Sequence, residues 1–140
     1  MKINKIIVHC SDSDIAAHDN IETIYQWHVI ENGWSDVGYH YFIQSSGNLQ
    51  KGRDNTRPGA HVRGHNQDSI GICLHGKNNF TEAQFVSLRN LIQGMLRDFN
   101  LTIFDVYGHR DFDNSKTCPN FDVRQKLIIG NLDPKTEKRV

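Results

Sequence analysis

The chain has 140 residues, 37% of them hydrophobic, which suits a single domain with one adequate core. Lys plus Arg total 16 and Asp plus Glu total 16, so there is no net field of the kind that gathers nucleic acid or an anionic membrane, and neither partner is expected. The first apolar run, Ile6 to Val8, is too short for a secretory signal and no run reaches transmembrane length, so the expectation is a leaderless, monomeric protein made in the cytoplasm.

Lys5 to Cys10 reads as a strand apolar on both faces, interior to a sheet, with His9 at its exit. Asn20 is placed to cap a helix over Ile21 to Asn32, which Gly33 stops. Trp27, His28 and Trp34 along its edge suit either core or a substrate wall, and core is favoured for most of them. Tyr39 to Gln44 and Leu49 to Lys51 flank the turn-forming SSGN and predict a hairpin, with Tyr39 and Tyr41 on one face and His40 and Phe42 on the other. Arg53 to Asn66 is rich in Gly, charge and His, and predicts an ordered surface loop of the sort that carries binding groups. His61 in that loop suits a binding role and a solvated role equally.

SIGICL, Ser69 to Leu74, predicts a central strand. TEAQ from Thr81 is a capping box, and Phe85, Leu88, Leu91, Ile92, Met95, Leu96 and Phe99 make one apolar stripe behind it, the signature of a core helix. Thr102 to Tyr107 reads as a further strand and Asp122 to Ile129 as a closing helix. The domain is expected to span 1–132, with 133–140 a polar tail. Strands and helices in this order predict an α/β fold, a mixed sheet flanked by helices, with α+β as the neighbouring alternative.

Three cysteines are an odd number, and Cys10 and Cys73, in apolar runs, read as small buried hydrophobes. Cys118 differs. It stands nine positions after His109 in the polar stretch GHRDFDNSKTCPNF. Imidazole and thiolate both suit Zn²⁺, and a catalytic zinc keeps three protein ligands with a fourth position open. His9, at a strand exit, is the best third candidate, although this spacing matches no compact zinc-finger pattern.

Several separated blocks in order, IIVHCS, QWH, GWSDVGYHYFI, GRD, GAHVRGHNQDSIGICLHG and GHRD through KTCPNFD, cover Lys5 to about Arg124. Through them the chain resembles the zinc-dependent N-acetylmuramoyl-L-alanine amidases of the peptidoglycan-recognition-protein superfamily, most closely the short amidase-type lysozymes of phages. The resemblance implies that superfamily's fold, zinc ligands at His9, His109 and Cys118, an active-site tyrosine at Tyr39 and a catalytic lysine at Lys116. It implies hydrolysis of the amide between N-acetylmuramic acid and L-alanine in peptidoglycan, reached after release by an unknown route. Trp34, His61 and Asn66 are the expected muropeptide-binding residues. Two other readings stand beside it: a peptidoglycan-binding module without hydrolysis, and a metal-free cysteine hydrolase using Cys118 and His109.

Overall fold

The run KIIVHC forms β1 (Lys5–Cys10), buried from its second residue on. It is buried because it lies between two parallel neighbours, β4 (Ser69–Leu74) and β5 (Val106–Gly108). β2 (Tyr41–Ile43) runs parallel to β4, and β3 (Leu49–Lys51) closes the far edge antiparallel to β2. The order is β3-β2-β4-β1-β5, the mixed sheet expected. The computed structural model describes residues 2–129, so the domain end at 132 and the tail 133–140 lie outside the described residues.

Chirality decides where the helices go. The chain passes from β1 to β2 across β4, and from β4 to β5 across β1 in the opposite direction. Right-handed crossovers in opposite directions put their helices on opposite faces of a sheet. α1 (Ile21–Tyr25) accordingly covers one face, with Ile24 against Val37, Phe42 and Cys73. α2 (Glu82–Asp98) covers the other, packing Leu88, Ile92 and Leu96 on Ile6, Val8, Ile70 and Ile72, with Val123 and Leu127 of α3 (Val123–Ile129) joining them. Alternation along β1 then turns His9 away from the α2 core, to the α1 face.

The capping box of α2 forms as read: Thr81 Oγ1 accepts from Gln84 N at 3.1 Å, and Gln84 Oε1 accepts from Thr81 N at 2.9 Å. Gln84 is fully buried, and its amide nitrogen donates to the carbonyls of Ile43 and His75, tying the helix to the ends of β2 and β4.

Three elements depart from expectation. The helix capped by Asn20 is α-helical only to Tyr25 and continues as a π-helical segment, Gln26–Glu31, in which Asn32 N reaches back five residues to Trp27 O. The strand expected from Thr102 starts only at Val106, because Thr102 and Asp105 cap each other across a short 3₁₀ turn. Tyr39 and Tyr41 do not share a face: Tyr41 packs with the α2 core, Tyr39 with Phe42 on the α1 side. The reason is the backbone, since the consecutive carbonyls of Tyr39 and His40 accept from the consecutive amides of Arg53 and Gly52. A flat ladder points successive carbonyls to opposite sides, so the strand is kinked here and its alternation broken.

Candidate metal centre

β1 and β5 are adjacent and parallel, so the residues leaving them emerge at the same edge of the sheet. The rings of His9 and His109 are 4.7 Å apart there. Cys118 is brought to them by two backbone contacts: Arg110 N donates to Cys118 O at 2.8 Å, and Cys10 N donates to Cys118 Sγ at 3.0 Å. One ligand atom from each of His9, His109 and Cys118 lies within 4.8 Å of the other two. Zinc bonds of about 2.0 to 2.3 Å in a tetrahedron space ligand atoms roughly 3.5 Å apart, so little closure is needed. Two imidazoles and a thiol fit zinc by chemistry as well, and no other such cluster converges among the described residues.

Electrostatics prepare the nitrogens more than the sulfur. Burial holds His9 well below its ordinary value, helped by His61 and His109, and burial also lowers His109, so both rings are neutral and able to ligate. The hydrogen bond with Cys10, then burial, push the Cys118 thiol up, and the same contact lowers Cys10. Cys118 thus keeps its proton until a cation displaces it. Cys10 is buried as expected, yet it does more than fill space, because its amide and thiol both touch the Cys118 sulfur. Cys73 is buried as predicted, with its thiol in hydrogen-bond contact with the Tyr39 side chain.

A cleft of about 410 Å³ opens at His109 and Cys118, lined also by Ser11, Asp12, Trp27, His28, Tyr39 and Lys116, with His9 buried behind it. Tyr39, displaced from its strand face by the kink, stands with its ring 5.0 Å from that of His9. Burial raises its phenol well above the ordinary value, so it stays protonated and able to donate. Lys116 lines the cleft and is exposed, in a turn whose Asp113 carboxylate accepts from Ser115 N and Oγ. A larger cleft of about 520 Å³ lies along β5 with Arg110 and Arg124 but without the ligand cluster, so volume alone does not mark the site.

None of the three expected muropeptide residues is among those that line the cleft at His109 and Cys118. Trp34 packs tilted against the His28 ring, centroids 4.5 Å apart, outside the cleft lining, and is 38% exposed. Asn66 Oδ1 accepts from the amides of His61 and Val62, holding its own loop. His61 is turned inward, its Nδ1 2.8 Å from His9 Nε2. The loop is irregular as predicted, but its Arg53 is buried and donates to the carbonyls of Asp36, Val37 and Pro58. Trp27 and His28, on the π-helical segment and read mainly as core, both line the cleft, while Trp27 does also pack against the Ile24 cluster. Their place in the QWH block was the available signal.

The geometry and the known proteins agree. Residues 1–121 match the family model Amidase_2, N-acetylmuramoyl-L-alanine amidase, and the chain belongs to that family. The endolysin of Enterobacteria phage T3 is 38% identical over 128 residues, covering 86% of this chain and 82% of the phage protein. Peptidoglycan-recognition protein SC2 of Drosophila melanogaster is 30% identical over 123 residues, covering 85% of this chain and 66% of that protein. The N-acetylmuramoyl-L-alanine amidase LysC of Clostridium intestinale URNW superposes with a TM-score of 0.80 at 26% identity, covering 100% of this chain and 87% of that one.

Proposed function

We propose that this family member is a zinc-dependent amidase that cleaves the bond between N-acetylmuramic acid and L-alanine in peptidoglycan. The carrying observation is the convergence of His9, His109 and Cys118 beside a cleft that also holds Tyr39 and Lys116. Zinc held by the three would polarise the scissile carbonyl and make a bound water a better nucleophile. The chain's own groups supply the rest. His9 and His109 arrive neutral, so no proton must leave either ring before it ligates. The Lys116 ammonium on the lip stabilises the negative charge that develops on the carbonyl oxygen, and the Tyr39 phenol donates a hydrogen bond to it. Water adds to the carbonyl carbon, the C–N bond breaks, and the alanine nitrogen leaves with a proton. Trp27 and His28 form the wall for the substrate, and exposed Trp34, packed at a tilt against His28, extends it.

A binding module without hydrolysis is disfavoured because donors, phenol and ammonium are all present at one cleft. A metal-free cysteine hydrolase is disfavoured because the Cys118 thiol is pushed up, away from the reactive thiolate. The phage relative's name, endolysin, supports action on the cell wall after release from the cell that makes the protein. No helix among the described residues is long and apolar enough to cross a membrane. Mass spectrometry of purified muropeptides after incubation, with zinc measured on the same sample, tests the reading. Free stem peptide beginning with alanine is expected, and its absence despite bound zinc would overturn the amidase assignment.

A further inference from the structure

His61 has a hydrogen-bond chain behind it that leaves little freedom in where protons lie. Ser69 is fully buried, and its hydroxyl donates to the His65 carbonyl at 2.6 Å. A hydroxyl has one proton, so towards His61 Nε2, 3.0 Å away, Ser69 Oγ can only accept. His61 Nε2 therefore carries the hydrogen, and in a neutral ring Nδ1 is then a bare lone pair. That lone pair faces His9 Nε2 at 2.8 Å and must accept from it. His9 is left with its hydrogen on Nε2 and its only free lone pair on Nδ1.

The seat for this ring is cut into the backbone. A Cβ on Gly71, in the middle of β4, would come within 2.7 Å of His61 Nδ1. One on Gly59 would come within 2.6 Å of His61 Cδ2. Neither glycine has the left-handed backbone that would explain it; Gly71 provides room for the imidazole, and Gly59 does so while also letting the Gly38 carbonyl approach, 2.8 Å from where its Cβ would be. The Asn66 side chain fixes the His61 amide from behind. His61 is not among the residues that line the cleft, and both its ring nitrogens are engaged by protein groups.

We propose that His61, ordered by Ser69, is a positioning residue that locks His9 in the Nε2–H form and presents its Nδ1 to the metal. This rests on the zinc reading above. Partners of this kind fix the ring orientation and tautomer of a ligating histidine, and losing one typically weakens metal binding about 10- to 100-fold.

Two measurements test it. In metal-free protein labelled with ¹⁵N-histidine, long-range ¹H–¹⁵N spectra are expected to show His9 and His61 as single Nε2–H tautomers. A wild-type His9 carrying its hydrogen on Nδ1 overturns the proposal. Ser69→Ala, a small change, should let His61 and His9 exchange between tautomers, and an unchanged single form there overturns it too. Zinc affinity, read by competition with a chromophoric chelator, should fall about 10- to 100-fold in His61→Phe and largely recover in His61→Asn, whose carbonyl oxygen replaces the Nδ1 acceptor. Equal affinity in wild type and His61→Phe overturns the positioning role alone. A wild-type protein that takes up no zinc overturns the metal reading beneath it, an outcome the wild-type measurement separates from the first.

Discussion

The backbone amide of Cys10 donates to the sulfur of Cys118 over 3.0 Å, joining the exit of the central strand to the loop that follows β5. His9 lies in β1 and His109 directly after β5, whereas Cys118 is held from a loop by two backbone contacts, so the sulfur is the ligand most dependent on the metal. One zinc per chain is expected by elemental analysis, and Cys118→Ser should lose most of it. Because only the folded state binds, zinc at one hundred times its Kd should add about 2.7 kcal/mol, and a chelator should lower Tm correspondingly. A Tm indifferent to chelator in protein that contains zinc would contradict this.

Lys116 and Tyr39 line the cleft without belonging to the ligand cluster, so their variants should separate catalysis from metal binding. Lys116→Met and Tyr39→Phe should each lower kcat by about 10²- to 10³-fold, the usual loss for one oxyanion-stabilising group. Zinc content and muropeptide affinity should change far less, since these groups act mainly in the transition state. Loss of zinc from either variant would make that residue a ligand instead.

Acid should destabilise the metal-free protein. Burial lowers His61 from 6.5 to about 3, and it also lowers His40 and His28. The unfolded chain takes up these protons near 6.5 and the folded chain only at lower pH, so unfolding binds protons in between. The stabilisation is present above 6.5 and is lost as pH falls towards about 3. Urea midpoints should drop across that window, and the drop should be smaller in His61→Asn. A midpoint that rises on acidification would contradict the assignment.

Arg53 holds the wall segment by donating to three carbonyls, those of Asp36, Val37 and Pro58. A lysine has no planar fork to span them. Arg53→Lys should therefore destabilise by about 1 to 3 kcal/mol in urea unfolding, the range for buried groups left unpaired. Equal midpoints would show that water replaces the lost bonds freely.

The elements legible from sequence are those whose signal is local. Phe85, Leu88, Ile92 and Leu96 recur at the helical period behind Thr81 and Gln84, and α2 forms where they say. SIGICL and KIIVHC are continuous apolar runs, and each becomes a strand buried between parallel neighbours. The donor types of His9, His109 and Cys118 could likewise be named in advance, because thiol and imidazole carry their chemistry with them. What sequence could not supply was direction. Tyr39 reaches the cleft only because pairing with Gly52 and Arg53 breaks the alternation of its strand. Trp27 and His28 line it from a segment that turns π-helical at Gln26, which no local pattern announced. His61, in a polar loop that read as a substrate contact, points inward because Gly59 and Gly71, on separate segments, leave a space its ring fills. Periodicity and residue type act within a few neighbours along the chain, whereas these orientations depend on segments that meet only after the sheet has formed.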